Sequence, residues 1–205
     1  VTGPLRISSG TRLFASPGAV IKLADHAGCD QQDYLLSNAK PDRGDHAIEI
    51  EGGTWDGNNV ANPRGPDTPG SYGGVLLNFV KVTGLILRNI VVCDAESYYI
   101  RLGEVRNFMI ERVRLEATRI RPNQDGIHLG GFCRRGEIRG LIAEGPGITQ
   151  DDMVALVADD MLHLSPNLGL CCGPLQGIRI TALHADDCHS FVRRESVFHA
   201  IERVE

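Results

Sequence analysis

The sequence predicts an all-β protein built as a right-handed parallel β-helix, a solenoid whose coils stack along one axis. Three observations predict this fold class. A segment with strand periodicity recurs along the chain, no amphipathic helix separates its copies, and 24 glycines are available for tight corners. We expect a single domain over residues 1–205, truncated at its C-terminal end, because the last repeat stops without the polar cap that a solenoid end needs.

The repeat is a short segment in which apolar and polar residues alternate. In one copy, Ile178 and Ile180 alternate with polar neighbours, which is the period of a β-strand. The copies begin at Val82, Val105, Cys133, Leu175 and Phe198. These starts are 23, 28, 42 and 23 residues apart. A base period of 23 residues with insertions is typical of a solenoid.

Other short strands complete the predicted coils. A second strand follows four of the repeats, at Tyr99–Leu102, Gly126–Leu129, Met153–Leu156 and Ser190–Arg193. Earlier strands are predicted at Leu5–Ile7, Val20–Leu23 and Ala47–Trp55. The sequence also predicts loops at Asn58–Gly74 and Ala158–Gly173, and corner asparagines with stacked amides at Asn78, Asn89 and Asn107.

A β-sandwich is the alternative architecture. It would place Asp-Gly or Asn-Gly turns between strands that are adjacent in the chain. Asp125-Gly126 lies instead at a repeated position of the coil. The repeat therefore favours the solenoid over the sandwich.

Composition narrows the classes of partner. Twenty-one Lys and Arg against 26 Asp and Glu give a net charge of -5, which argues against a nucleic-acid surface because such surfaces usually need a basic stripe. No apolar run approaches the roughly 20 residues of a membrane helix, so we expect no membrane partner. No signal peptide is recognisable at Val1, as would also be the case in a mature chain. The six cysteines permit disulfides without requiring them.

The candidate site lies on the second strands of three consecutive coils. They carry Asn123-Gln124-Asp125, Gln150-Asp151-Asp152 and Asp187-Cys188-His189. Because stacked strands lie about 5 Å apart, we expect the carboxylates of Asp125, Asp151 and Asp152 to share one patch. Adjacent residues of a straight strand point to opposite faces. The Asp-Asp pair can therefore reach one patch only if the chain bends there.

Such a patch can divide the chemistry of glycoside hydrolysis among its members. Mutual repulsion raises the pKa of at least one carboxyl group. The protonated group can give its proton to the leaving glycosidic oxygen, while an ionised one takes a proton from water. Most exposed aspartates are turn or solubilising residues, however, and Asp151 would be structural if it paired with Arg134 or Arg135.

At these residues the chain resembles the polygalacturonases, glycoside hydrolase family 28. Successive coils of that family carry Asn-Thr-Asp, Gly-Asp-Asp, Gly-His-Gly and Arg-x-Lys. Asn123-Gln124-Asp125 resembles the first motif, Gln150-Asp151-Asp152 the second and Cys188-His189-Ser190 the third, with several substitutions. The fourth motif, which binds the sugar carboxylate in the family, has no counterpart before Glu205.

The resemblance implies an inverting hydrolase that needs no cofactor and no metal. Asp151 would be the general acid, and Asp125 and Asp152 would hold and deprotonate the attacking water. His189 would tune the acid or contact the sugar. The resemblance also favours a secreted or periplasmic compartment.

A carbohydrate, pectic in the family, is the expected partner. We expect Asn123, His128 and Arg193 to bind it. For His128, packing is the alternative role. Arg193 or Arg194 could substitute for the missing Arg-x-Lys pair, although neither lies at the matching position.

Two other functions remain open on the same fold. A polysaccharide lyase would use the acidic pairs to bind calcium, which takes six to eight oxygen ligands. A non-catalytic carbohydrate-binding β-helix is the second, because fold alone does not fix function. The last coil, Phe198–Glu205, is expected to leave an open strand edge that pairs with another copy of the chain or is disordered.

Overall fold

The computed structural model describes residues 1–66, 68, 70–160 and 171–205, which form sixteen β-strands. Among these residues, no helix is long and apolar enough to cross a lipid bilayer. The strands are β1 (Leu5–Ile7), β2 (Arg12–Phe14), β3 (Val20–Lys22), β4 (Leu36–Asn38), β5 (Asp45–Glu51), β6 (Thr54–Asp56), β7 (Leu77–Val80), β8 (Val82–Cys93), β9 (Ile100–Gly103), β10 (Arg106–Glu116), β11 (Ile127–Leu129), β12 (Arg134–Ala143), β13 (Thr149–Val157), β14 (Leu175–Ala185), β15 (Cys188–Glu195) and β16 (Ile201–Val204).

The strands form two stacked sheets. The seven-stranded sheet has the order β1-β4-β7-β9-β11-β13-β15, and the nine-stranded sheet runs β16-β14-β12-β10-β8-β5-β2, with β3 and β6 beside it. Every pairing between these named strands is parallel. Neighbours in each sheet come from successive coils, so the predicted parallel β-helix is confirmed and the sandwich of antiparallel strands is excluded.

The long strands of the nine-stranded sheet turn at two columns of residues with left-handed backbone. The first column contains Ala47, Gly84, Asn107, Arg135, Gly177 and Arg203, and the second contains Gly52, Asn89, Arg112, Gly140 and Ala182. Asn89 and Asn107 therefore lie at corners, as predicted, but in different columns. The predicted stack of asparagine amides is wrong, since Asn78 lies within β7 and is buried.

Inward-facing apolar residues stack in ladders that form the core. Phe108 lies between Leu85 and Gly136, and Ile178 follows Gly136 in the same ladder. Gly136 interrupts the apolar series because the Phe108 ring occupies the space above it, and a Cβ there would overlap that ring. Ile138 belongs to the next ladder, where it pairs with Ile180.

The predicted length of the last repeat is wrong. Leu175 pairs with Ile201, which makes this repeat 26 residues long rather than 23. Phe198, the predicted start of the segment, is 73% exposed. The sequence shows the apolar character of Phe198 but not its exposure.

The first predicted loop, Asn58–Gly74, contains no named strand in its described part, as expected. Its first two asparagines, Asn58 and Asn59, are nevertheless buried. The Asn59 amide, for example, donates to the backbone oxygens of Ala95 and Arg119 at 3.1 and 3.0 Å. The centre of the second loop, residues 161–170, lies outside the described residues.

Strands β15 and β16 are the outermost strands at one end of the two sheets. The predicted pairing of Phe198–Glu205 with another copy of the chain remains a prediction. All six cysteines lie among the described residues, and all have free thiols there.

Candidate active site

Three neighbouring strands of the seven-stranded sheet bring the predicted motifs together. Ile127 in β11 pairs with Val154 in β13, so the residues two positions earlier, Asp125 and Asp152, are also neighbours. Asp152 in turn pairs with Ser190 in β15. Asp125, Asp152 and Ser190 therefore occupy one column across the three strands, although 27 and 38 positions separate them in the chain.

A β-bulge places both members of the Asp-Asp pair on one side of β13. Thr149 pairs with Cys188 and Asp152 with Ser190, so three steps along β13 match two along β15. The extra residue breaks the alternation of side chains. His189 Nδ1 consequently lies 3.7 Å from an Asp151 oxygen and 3.6 Å from an Asp152 oxygen. The predicted bend is confirmed.

The carboxyl group of Asp151 is partly buried near two other carboxyl groups. Its side chain is 23% exposed, and Asn123 Nδ2 lies 3.4 Å from its Oδ2. Burial raises the pKa of Asp151 above its ordinary value, and repulsion from Asp125 and Asp152 adds to the rise. His189 offsets part of it. Burial and like charge are two of the effects by which proteins raise the pKa of a carboxyl group.

The structural alternative for Asp151 required an ion pair with Arg134 or Arg135. In the described part of the chain, neither arginine forms one with Asp151. Its polar partners there are the side chains of Asn123 and His189. The predicted structural alternative, an ion pair of Asp151 with Arg134 or Arg135, is therefore wrong.

Asp125 and Asp152 form the floor of the site. Their side chains are only 6% and 2% exposed. The hydroxyl of Ser190 donates a short hydrogen bond to Asp152 Oδ1, and the backbone N–H of Asp152 donates to Asp125 Oδ1 at 3.3 Å. A hydrogen bond from the Asp152 backbone thus links the two residues, and fixed donors hold both carboxylates in place.

His128 lies beneath this floor, not on the surface where a sugar could reach it. Its side chain is 4% exposed and stacks on the Tyr98 ring, with the ring centroids 4.1 Å apart. Nδ1 is 2.8 Å from Asp125 Oδ2, and Nε2 is 3.0 Å from Asp160 Oδ1. The expectation of direct substrate contact is corrected on this ground, because a buried ring closed off by two carboxylates has no face free for a sugar.

The charge state of His128 is set by competing effects. Burial opposes the charged ring, but the attraction of Asp160 and the hydrogen bonds to Asp125 and Asp160 outweigh it, and the pKa of His128 rises to about 9. For Asp160, burial is likewise outweighed by His128 and Arg101, which lower its pKa to about 2. Neither Asp160 nor Arg101 was singled out from the sequence as part of the site.

Two basic side chains line the exposed rim. Arg193 is 46% exposed, with Nη1 3.8 Å from Asp152 Oδ2 and Nη2 2.6 Å from Glu195. The side chain of His189 is 70% exposed. Arg194 does not join them, because its Nη2 donates to the backbone oxygen of Ile201 at 2.6 Å. Of the two arginines that could replace the missing Arg-x-Lys pair, only Arg193 lies at the site.

Three groups of side chains among the described residues bring metal-binding atoms within 4.8 Å of one another: Asp151, Asp152 and His189; Asp56, Cys93 and Asp94; Asp159, Cys172 and His199. In the third group, three backbone N–H groups, those of Val197, Phe198 and His199, already donate to Asp159 Oδ2. The first group offers two carboxylates and a nitrogen, a poor match to the all-oxygen shell that calcium prefers.

Comparison with known proteins shows which proteins the chain resembles. No family model matches the chain. A polygalacturonase from Persea americana is 25% identical over 171 residues, which are 77% of this chain and 34% of that protein. A probable polygalacturonase from Arabidopsis thaliana is 29% identical over 70% of this chain and 29% of its own length. Polygalacturonase-2 from Solanum lycopersicum is 24% identical over 96% of this chain and 41% of its own length.

One solved structure has the same fold. It is a protein from Parabacteroides merdae, provisionally assigned as a glycosyl hydrolase, with a TM-score of 0.58 and 12% identity over 91% of this chain and 75% of that one. The present chain spans about a third of the length of the curated relatives that it matches. Several polygalacturonases thus match most of the chain at low identity, and the chain is their distant homologue.

Proposed function

We propose that the chain carries the catalytic site of an inverting glycoside hydrolase of polygalacturonase type, which cleaves a pectic polysaccharide or oligosaccharide. One observation carries the proposal. Asp151, whose pKa is raised by burial and by its acidic neighbours, stands beside two nearly buried carboxylates on stacked coils.

Asp151 acts as the general acid. It is the most exposed of the three carboxyl groups, so it can reach a glycosidic oxygen bound at the site. Its raised pKa keeps it protonated to a higher pH than an ordinary aspartic acid. Proton donation by a positioned acid typically contributes about 10²- to 10⁴-fold to the rate.

Asp125 and Asp152 hold the attacking water and take its proton. A retaining enzyme needs a carboxylate that itself bonds to the anomeric carbon. The carboxylates of Asp125 and Asp152 are too buried for that contact, and fixed donors hold each of them in place. A water molecule is small enough to reach them, which supports inversion of the anomeric centre.

Arg193, His189 and Asn123 bind the sugar. Arg193 and His189 place two basic groups on the rim of an otherwise acidic site. A uronic acid offers the carboxylate that an arginine recognises through paired hydrogen bonds. The Asn123 amide, which already contacts Asp151, is placed to hold a hydroxyl group close to the acid.

The test is product analysis with polygalacturonate and a panel of neutral glycans. We expect new reducing ends from polygalacturonate. The anomer that appears first in the NMR spectrum should have the configuration opposite to that of the cleaved bond. Asp151→Asn should lower kcat by about 10²- to 10⁴-fold. The matched control is Asp187→Asn, the same change at an exposed aspartate two residues from His189, which should leave kcat within twofold of wild type.

Other outcomes would assign the site differently. An unsaturated product that forms only with added calcium would identify a lyase. Glycan binding without any turnover would identify a carbohydrate-binding module. Hydrolysis that Asp151→Asn leaves intact would remove the assigned acid while keeping the reaction class.

A further inference from the structure

A line of four alternating charges is buried behind the proposed site. Asp125 contacts His128, His128 contacts Asp160, and Asp160 Oδ2 accepts a hydrogen bond from Arg101 Nη2 at 3.0 Å. Arg101 Nη1 in turn donates to the Asn78 side chain at 3.2 Å. Buried charges are costly unless they are paired and hydrogen-bonded. Here each charge has an opposite neighbour.

The fold aligns these residues in one column. Asn78, Arg101 and His128 are paired in register across β7, β9 and β11. The column lies on the outer side of the seven-stranded sheet, yet every residue of β9 and β11 is buried. Asp160 helps to cover it, approaching so closely that a Cβ on Gly130 would lie 2.8 Å from its Oδ2.

The hydrogen-bond geometry of His128 points to a doubly protonated ring. Both ring nitrogens face a carboxylate oxygen, at 2.8 and 3.0 Å. An ionised carboxylate only accepts hydrogen bonds, so both nitrogens must donate. The neutral ring has one N–H, and only the imidazolium has two. Between two ionised carboxylates, the pair of contacts therefore requires a charged His128, in agreement with the direction of its pKa.

We propose that His128 is a charged positioning residue that keeps Asp125 oriented as the base, with Asp160 holding the histidine from its other side. The proposal rests on the proposed function, in which Asp125 receives the proton of the attacking water. A charged hydrogen-bond donor holds a buried carboxylate in one orientation. The pairing distinguishes Asp125 from Asp151, whose pKa is raised by burial and by its acidic neighbours.

Asp160 has the more unusual role. It lies two residues beyond Ala158, on a segment outside the repeated coils, and it ties that segment to His128 and Arg101. The groups that face His128 are Asp125, Asp160 and the stacked Tyr98 ring, with Arg101 beyond Asp160. Removing the Asp160 charge leaves His128 with Asp125 as its sole acidic partner among these groups.

The first experiment does not depend on turnover. Nitrogen-15 NMR of the imidazole rings in the full chain should show one histidine doubly protonated up to about pH 9, and Asp160→Asn should shift its deprotonation to lower pH by at least one unit. A His128 ring that is neutral at pH 7 in the wild-type chain would overturn the proposal, whether or not the chain hydrolyses pectate.

The second experiment uses the reaction. His128→Gln and Asp160→Asn should each lower kcat by about 10- to 100-fold, the scale of a misplaced reacting group, with KM changed less than threefold. Both should move the acidic limb of the pH profile, which reports the base. His184→Gln, the same change at an exposed histidine, is the control.

The two hypotheses fail in different ways. A charged His128 in a chain without hydrolase activity would refute the proposed function but not the charge state of His128. Normal kcat and an unmoved pH profile in a folded Asp160→Asn variant would refute the positioning role while leaving the hydrolase intact. Should His128→Gln fail to fold, Asp160→Asn decides the question.

Discussion

The buried His128 makes the stability of the chain depend on pH in a defined window. Its pKa rises from an ordinary 6.5 to about 9 in the folded chain. A raised pKa means that the stabilisation is fully present below about pH 6.5 and is lost as the pH rises through about 9. At about 1.4 kcal/mol for each pKa unit, the shift corresponds to about 3 kcal/mol. Because the side chain is almost fully buried, solvent screening removes little of this amount.

Guanidinium denaturation of wild type and His128→Gln at pH 6 and pH 9.5 measures the effect. We expect the variant to be less stable than wild type at pH 6, and the difference in the free energy of unfolding to shrink by about 3 kcal/mol between pH 6 and pH 9.5. Other groups titrate in both proteins, so the difference between them isolates His128. His184→Gln should match wild type at both pH values. A difference that stays constant between pH 6 and pH 9.5 would refute the imidazolium.

Two further predictions concern the core and the acid. Gly136→Ala places a methyl group against the Phe108 ring and should lower the free energy of unfolding by about 1–3 kcal/mol. Adding Phe108→Leu should recover part of that loss. Strict additivity of the two changes would count against the contact. His189→Gln removes a group that lowers the pKa of Asp151, so the alkaline limb of kcat/KM should move to higher pH, whereas Arg194→Gln should not move it.

Sequence repetition was sufficient to predict the coils and the convergence of the acidic motifs. Each coil is stabilised by its neighbours, so equivalent positions must repeat in the sequence. The bend at Asp151 and Asp152 was also predictable, because two adjacent side chains cannot share a face without one.

The buried charges could not be predicted in the same way. Asp160 lies in a segment that does not repeat, so no register connects it with His128 or Arg101. An Ile-His-Leu strand has the same pattern whether its histidine faces solvent or a covering segment. The residues of β9 and β11 are buried, and atoms of Asp160 and Cys171 lie close to Gly130, just after β11. The sequence pattern does not show this covering, so it favours an exposed, substrate-binding His128.

The central claim, that Asp151 gives a proton to the leaving group, is tested most directly by changing the leaving group. Wild type and Asp151→Asn should be compared on an unactivated oligogalacturonide and on an aryl galacturonide whose phenolate departs without protonation. We expect the variant to lose about 10²- to 10⁴-fold in kcat/KM on the first substrate and less than tenfold on the second. Equal losses on both substrates, or none on either, would contradict the assignment of Asp151 as the general acid.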